Sequence, residues 1–348
     1  MSQHTITINN RTIGAGVPCY LIAEVGTTCM GDIDKALRLI DAAKAAGIDA
    51  IKFQVIDPQQ ESDPAATYLV VHNGQEQHVN MKEMFQKLIF SEDQWAQIVD
   101  ASRKAGLDFF ATVDYLEGVE MLDRLGVDFH KIGAWDATYK QLIEKIGKSG
   151  KAMFADLGPT TESQANDIVN WYMSAGGTAV LFMHDFHTTD DTQMNMRAVQ
   201  KLNEMFPWPS GFSSPAHDDD LDVAALALGA AYLEKRLILD RSDFAFHAHE
   251  SLEPQELKAW VEKIKHVERA LGAPVIVPSE RDQAGSLKYY RSVCTLRNIQ
   301  AGELFTAENL GAKRPGTGLP SSNLESIWGK PAKAFIAADT LLSNEDLA

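Results

Sequence analysis

The chain has 348 residues, 45% hydrophobic and 23% charged, enough to bury one large core or two unequal ones. A formal net charge of −16 repels phosphate backbones and anionic lipid, which excludes nucleic acid and membrane as expected partners. No apolar run reaches the roughly 18 residues that span a bilayer, the first residues lack a secretory signal's order, and Cys19, Cys29 and Cys294 are too few and scattered for a disulfide framework, so the expectation is a reduced, cytoplasmic protein.

Tyr20–Gly26 and Ala50–Val55 are short apolar runs rich in branched residues, as expected of strands buried on both faces. Between them, Asp32–Gly47 has helical spacing and ends in a glycine C-cap. Residues 56–90 form a long connection of the kind that often serves as a functional lid, and the helix Ser91–Gly106 opens with a capping box, Ser91 to Gln94. The alternation continues with strands at Leu107–Val113, Phe129–Ala134, Ala152–Leu157, Thr178–Phe186, Ser210–Ser214 and Tyr232–Leu239. Helices are expected at Leu116–Gly126, Thr138–Gly150, Glu162–Ala175, Thr192–Phe206, Leu221–Ala231 and Glu253–Gly272. Eight strand–helix pairs over about 250 residues predict a closed (β/α)8 TIM barrel spanning 1–283. With no G-x-G-x-x-G turn after any strand, no nucleotide cofactor is expected. After a polar linker at Pro278–Gly285, short strands and turns predict a small β-rich domain over 284–348.

Polar residues at the carboxyl ends of barrel strands face the active site. Here they include Glu24, Lys52, Gln54, Thr112, Asp114, Lys131, Asp136, Asp156, His184, Asp185, His187, Ser213, His217, Glu234 and Arg236. Lys52 and Lys131 are embedded in otherwise apolar strands. They are a seat for phosphate or carboxylate, a Schiff-base amine, or partners of buried acids across the barrel. Glu24 is a general base or a substrate-orienting carboxylate, or simply pairs with a lysine. Five of the ten histidines gather at strand ends or the loops after them. Of these, His184, His187, His217 and His247 are the candidate ligands for a divalent metal such as Mn, Mg or Zn, without a strong zinc spacing.

Ile22-Ala-Glu-Val-Gly26, Ala50-Ile-Lys-Phe-Gln54, Lys131-Ile-Gly133, Leu239-Asp-Arg-Ser-Asp243 and Ser251-Leu-Glu-Pro254 resemble the barrel of the sialic acid (N-acetylneuraminate) synthase family. Residues 299–310, Lys313-Arg-Pro-Gly-Thr-Gly318 and Gly329-Lys-Pro-Ala332 resemble its antifreeze-like (SAF) domain. The resemblance implies condensation of phosphoenolpyruvate with an N-acyl amino sugar to a nine-carbon 2-keto acid, with a metal polarising the sugar aldehyde. By position it makes Glu24 catalytic and seats phosphoenolpyruvate on Lys52, Thr112, Lys131 and Ser213. Gln54 then contacts the sugar, and Arg314 reaches the partner's barrel in a domain-swapped homodimer.

The departures from the family pattern fall on the metal and the phosphate. One metal histidine of the family falls on Pro215 and the other on Arg236; two phosphate-binding serines fall on Ala134 and Asp156; a site aspartate falls on His247. Two accounts follow: a metal site rebuilt from the four histidines, or Arg236 as a cation in the metal's place. The expected function is a carbon–carbon bond-forming synthase using phosphoenolpyruvate or a related keto acid and a sugar-like aldehyde. The alternatives are a catalytically altered paralogue that binds a sugar acid or regulates a synthase, and a Schiff-base or metal aldolase.

Overall fold

The computed structural model describes residues 4–8, 10–61, 63–72, 74–215 and 219–348. It divides into two compact units, 1–272 and 273–348, where the sequence places the boundary at 283/284. The stretch read as a polar linker carries the start of a helix, Glu280–Tyr289, whose first turn is capped by Ser279.

In the first unit the strands are β1 (Thr5–Ile8), β2 (Arg11–Gly14), β3 (Tyr20–Glu24), β4 (Ala50–Val55), β5 (Thr67–His72), β6 (Gln75–Asn80), β7 (Asp108–Val113), β8 (Phe129–Ile132), β9 (Ala152–Asp156), β10 (Val180–His184), β11 (Gly211–Ser213) and β12 (Tyr232–Arg236). Eight of them close a parallel barrel in the order β10-β11-β12-β3-β4-β7-β8-β9. The predicted TIM barrel is therefore present, with its strands where the apolar runs lie. The helix over Ile33–Ala46 starts where the Asp32 side chain accepts from the Asp34 and Lys35 amides and stops at Gly47, whose φ of 86° suits a residue without Cβ. Ser91 and Gln94 form the expected capping box.

Strand alternation sorts every barrel residue into one of two cores. Tyr20, Ile22, Phe110, Phe129, Phe154, Leu181, Met183 and Tyr232 point inward and form an aromatic-rich plug, with Phe110 at 4.6 Å from Phe129 and 5.1 Å from Phe154. Their neighbours Leu21, Ala23, Ile51, Phe53, Phe109, Ala111, Met153, Phe182 and Leu233 point outward against the helices. Ile13, with the partly buried Ile6 and Ile8, packs the antiparallel β1–β2 hairpin onto the inner plug, an element the periodicity did not predict.

Three expectations are corrected. The 56–90 connection is not a plain loop: it contains the antiparallel β5–β6 hairpin and short helices at Pro58–Glu61 and Met81–Phe85. Its Val70, Met84, Phe85 and Leu88 build a small core of their own with Ile56 and Phe246. The helix expected over Thr192–Phe206 shortens to a 3-10 turn, Asp191–Gln193, and a helix, Ala198–Met205. In the second unit, Ala332–Ala337 forms only isolated bridges, Ala332 with Leu347 and Ile336 with Ile299.

The second unit pairs β13 (Ser292–Thr295) with β14 (Leu310–Lys313) over a core of Val293, Ile299, Phe305, Leu310, Leu319, Ile327, Ile336 and Leu342. No helix among the described residues is long and apolar enough to cross a membrane.

Candidate active site

A cavity of about 1420 Å³ lies at the carboxyl ends of the barrel strands. Alternation fixes its floor: residues two positions beyond the inner plug point the same way, so Glu24 follows Ile22, Lys52 follows Ala50, Thr112 follows Phe110, Lys131 follows Phe129, Asp156 follows Phe154 and Glu234 follows Tyr232. Gly26 keeps the turn after β3 tight, since a Cβ there would stand 2.3 Å from the Gln54 amide nitrogen. Its own amide donates to Glu24 Oε1 at 2.7 Å.

The two lysines meet three carboxyl groups. Lys52 Nζ pairs with Glu24 Oε2 and with Glu234 Oε1 (3.2 Å), and donates to Thr112 Oγ1 (3.1 Å). Lys131 Nζ donates to Glu234 Oε2 (2.7 Å) and lies 2.9 Å from Asp156 Oδ1. Glu234 thus bridges both ammonium groups. Burial acts to lower the Lys52 pKa, but Glu234, Glu24 and Asp156 outweigh it and raise it above the usual lysine value. That holds Lys52 as an ammonium and works against it as a Schiff-base amine. Burial likewise pushes Glu234 up, and the two lysines reverse it, leaving the carboxyl below its ordinary range.

The other acids go the opposite way. Asp156 is raised to about 7, first by burial and then by Asp185 and Glu234, against the pull of Lys131 and Lys52. Burial raises Asp185 to about 6 despite the Gly158 amide bonded to it, and burial alone raises Asp136 to about 6. Carboxyls that titrate near neutrality suit proton transfer.

The cavity is also lined by Gln54, Ser213 and Arg236. Arg236 Nη1 donates to Glu250 Oε2 (2.9 Å), and the same oxygen lies 3.0 Å from His247 Nδ1. Burial acts to raise Glu250, but His247 and Arg236 bring it down to about 2; burial and then Arg236 lower His247 to about 4. Trp135, 71% exposed, stands at the cavity with its ring 4.7 Å from that of His187. An apolar part of the lining stands beside His247: Tyr68 and Met81 from the hairpin segment, with Phe85 and Phe246, the Tyr68 and Phe246 rings 4.5 Å apart.

Of the predicted site residues, Glu24, Lys52, Gln54, Thr112, Asp136, Asp156, Ser213, Arg236, His187 and His247 all line this cavity, and Lys131 is joined to them through Glu234 and Asp156. Arg314 belongs to the second unit, where its Nε donates to the Tyr289 carbonyl (2.6 Å). His217 lies outside the described residues. His184 is a correction: in β10 the inward positions are Leu181 and Met183, so His184 takes the outer face, and its Nε2 bonds the Met194 carbonyl at 2.8 Å. The His187 ring lies tilted at 39° against that of Trp135, and His247 is tied to Glu250. Among the described residues no group of three or more His, Cys, Asp or Glu side chains is placed to hold a metal ion. Of the expected histidine set, His184, His187 and His247 make separate contacts, and the Arg236 guanidinium shares the Glu250 carboxylate with His247. Sequence reasoning gave Glu250, Trp135 and Tyr68 no role. Glu250 sits in a turn rather than at a strand end, and its signal was only its spacing of three from His247.

The first unit is thus a closed parallel barrel with a polar, cavity-lining floor, and the second a small β domain. The NeuB family matches residues 39–275, and the SAF domain matches residues 290–348. The chain belongs to the NeuB family. It is 30% identical to an uncharacterized protein of Methanocaldococcus jannaschii over 98% of both chains. It is 29% identical to the human N-acetylneuraminate-9-phosphate synthase, covering 96% of this chain and 94% of that one. With the N,N'-diacetyllegionaminic acid synthase of Campylobacter jejuni the identity is 27%, over 92% and 98%. The solved N-acetylneuraminic acid synthetase of Leptospira borgpetersenii, in complex with citrate, superposes with a TM-score of 0.71 at 26% identity, covering 81% of this chain and 95% of that one.

Proposed function

We propose that this protein is a carbon–carbon bond-forming synthase of the sialic acid synthase type, joining the enol carbon of phosphoenolpyruvate or a related keto acid to a sugar-like aldehyde. The product is a 2-keto acid of the nonulosonate class. The observation that carries the reading is the buried Lys52–Glu24–Glu234–Lys131 cluster under an open cavity, in a chain whose relatives are named as synthases of such acids. In this reading the two ammonium groups, with Thr112 and Ser213, receive the donor's carboxylate and its enol or phosphate oxygens. Glu24, held by the Gly26 amide, orients the reacting groups, and Gln54 contacts the sugar. Asp136 and Asp156 carry protons near neutrality. Among the described residues no donor set fits a divalent metal, and the reading routes no step through one.

Asp156 favours a particular donor. A carboxyl 2.9 Å from Lys131 competes with a phosphate for that ammonium, so an unphosphorylated keto acid is the better occupant at high pH, where Asp156 is ionised. The same reading makes the chain a cytoplasmic homodimer in which Arg314 serves the partner's cavity. Sedimentation velocity tests the dimer, and an Arg314→Ala variant with unchanged sugar affinity rejects the exchange.

The test of the function is direct. Phosphoenolpyruvate or pyruvate is incubated with a panel of N-acyl amino sugars, and consumption of donor, release of phosphate and formation of a keto acid are followed by NMR. Keto acid formation that is lost in Lys131→Ala supports the reading. Donor binding in calorimetry that is indifferent to both Lys52→Ala and Lys131→Ala overturns the anion seat.

A further inference from the structure

We propose that Arg236, Glu250 and His247 form a metal-independent subsite that grips two oxygens of the sugar-like substrate, the guanidinium donating to an aldehyde or hydroxyl oxygen and His247 Nε2 accepting from a hydroxyl. The sugar as ligand rests on the function proposed above; the subsite itself rests on four observations. First, all three residues line the cavity. Second, one carboxylate oxygen, Glu250 Oε2, receives both Arg236 Nη1 at 2.9 Å and His247 Nδ1 at 3.0 Å. An ionised carboxylate only accepts, so Nδ1 carries the proton and Nε2 keeps its lone pair. Third, among the described residues the remaining N–H groups of Arg236 have no hydrogen-bonding protein partner, so a donor face is left over beside an acceptor. Fourth, His247 holds a left-handed backbone, φ 58° and ψ 18°, that few non-glycine residues adopt. The His247 carbonyl accepts from Glu250 N (3.0 Å) and Ser251 Oγ (2.8 Å), which folds the Ala248–Glu250 turn and brings Glu250 back to the ring.

The surroundings agree with a polar grip set in an apolar wall. Tyr68 and Phe246 stand 6.3 and 5.5 Å from the His247 ring, while His249 Nε2 approaches the other Glu250 oxygen at 3.6 Å. A divalent cation bound here would lie against a guanidinium, and like charge disfavours it. Hydroxyl oxygens of a sugar both donate and accept, which matches one fixed donor beside one fixed acceptor. Glu250 touches no substrate in this scheme and is a positioning residue.

The test uses the full chain with three probes. Mn2+ alone is titrated and free ion followed by electron paramagnetic resonance; no stoichiometric uptake is expected. Imidazole nitrogen shifts are expected to report His247 protonated on Nδ1 at pH 7 in the wild type and a mixture of tautomers in Glu250→Gln. Affinity for a panel of N-acetylhexosamines, measured by calorimetry in chelator, is expected to match that without chelator. It should fall at least tenfold in Arg236→Ala and severalfold in Glu250→Gln, with partial recovery in Arg236→Lys. One equivalent of Mn2+ bound and lost in His247→Ala overturns the proposal. Sugar affinity that survives Arg236→Ala overturns the subsite and leaves the synthase reading intact. A wild type that binds no hexosamine while it still turns over its donor overturns the ligand named here, and one that does neither overturns the functional reading itself.

Discussion

Glu234 and Lys235 are neighbours in β12, yet they belong to different charge networks. Glu234 points into the barrel, where it bridges Lys52 and Lys131 below an open cavity. Lys235 points out, where its Nζ donates to Asp222 Oδ2 at 2.7 Å and to Ser214 Oγ at 3.0 Å, and Asp222 also accepts from Trp260 Nε1 at 3.0 Å. Both sets are buried. The outer one is closed over by the helices Asp220–Ala227 and Pro254–Leu271, and it pins the barrel wall to them. The inner one has three carboxyls for two ammonium groups and access to a cavity, so its charges are available to a ligand. Burial alone therefore does not separate a pair closed into the wall from one that faces a cavity; the side of the strand does.

The largest effect that can break this comparison is in the outer set. Asp222→Ala removes the buried carboxylate that pairs with the Lys235 ammonium in the packed wall, and a loss of about 3–5 kcal/mol in urea unfolding is expected, with ligand affinity unchanged. A loss below about 1 kcal/mol would show that the outer pair is not structural. Lys131→Met is expected to destabilise less, about 1–3 kcal/mol, because its partners reach water and Asp156 already holds a proton near neutrality. Donor binding should nevertheless fall by at least about 100-fold, since one of the two seat cations is gone. Equal stability losses in the two variants would erase the distinction.

Acidity sharpens it further. The folded-state pKa of Asp156 lies near 7, above the ordinary 3.8. A raised carboxyl contributes stability that is complete below the ordinary value and is lost as pH rises through the folded one. Stability should accordingly decline between about pH 4 and 7 from this group, and Asp156→Asn should flatten that segment of the urea midpoint against pH. An unchanged slope would mean that Lys131 keeps Asp156 ionised. The smallest expected effect is the double change Asp222→Leu with Lys235→Met, which replaces the closed pair by apolar groups and should move stability by less than about 2 kcal/mol in either direction. A much larger loss would mean that the pair's hydrogen bonds to Trp260 and Ser214 carry its value.

Much of the site was legible because barrel strands end in the site. Glu24, Lys52, Gln54, Thr112, Lys131, Asp156, Ser213 and Arg236 are polar residues at the ends of apolar runs, and they gather where that position implies. The Lys–carboxyl pairing was legible only as one of three options, because nothing local says which acid crosses the barrel. His184 failed for a different reason. Val180–His184 is apolar on both faces, so its sequence carries no alternation that marks the inner side, and the ring lands outside against Met194. Glu250 and Tyr68 were missed because a turn and a hairpin deliver them to the cavity, and neither leaves a strand-end signature.

What the sequence determined by itself is therefore the chain of strands and helices with their caps, the closed barrel they imply, the small second domain and the family. These follow from short-range patterns: apolar runs, 3.6-residue periodicity, Asp32 and Ser91 at helix starts, Gly47 at a helix end. Only the tertiary structure decided which face each strand residue takes, that Glu234 bridges the two lysines, and that Arg236 and His247 share one carboxylate. Parallel strands buried on both sides look alike from either face, so closure of the barrel and packing of the inner aromatic plug, both long-range events, had to make that choice.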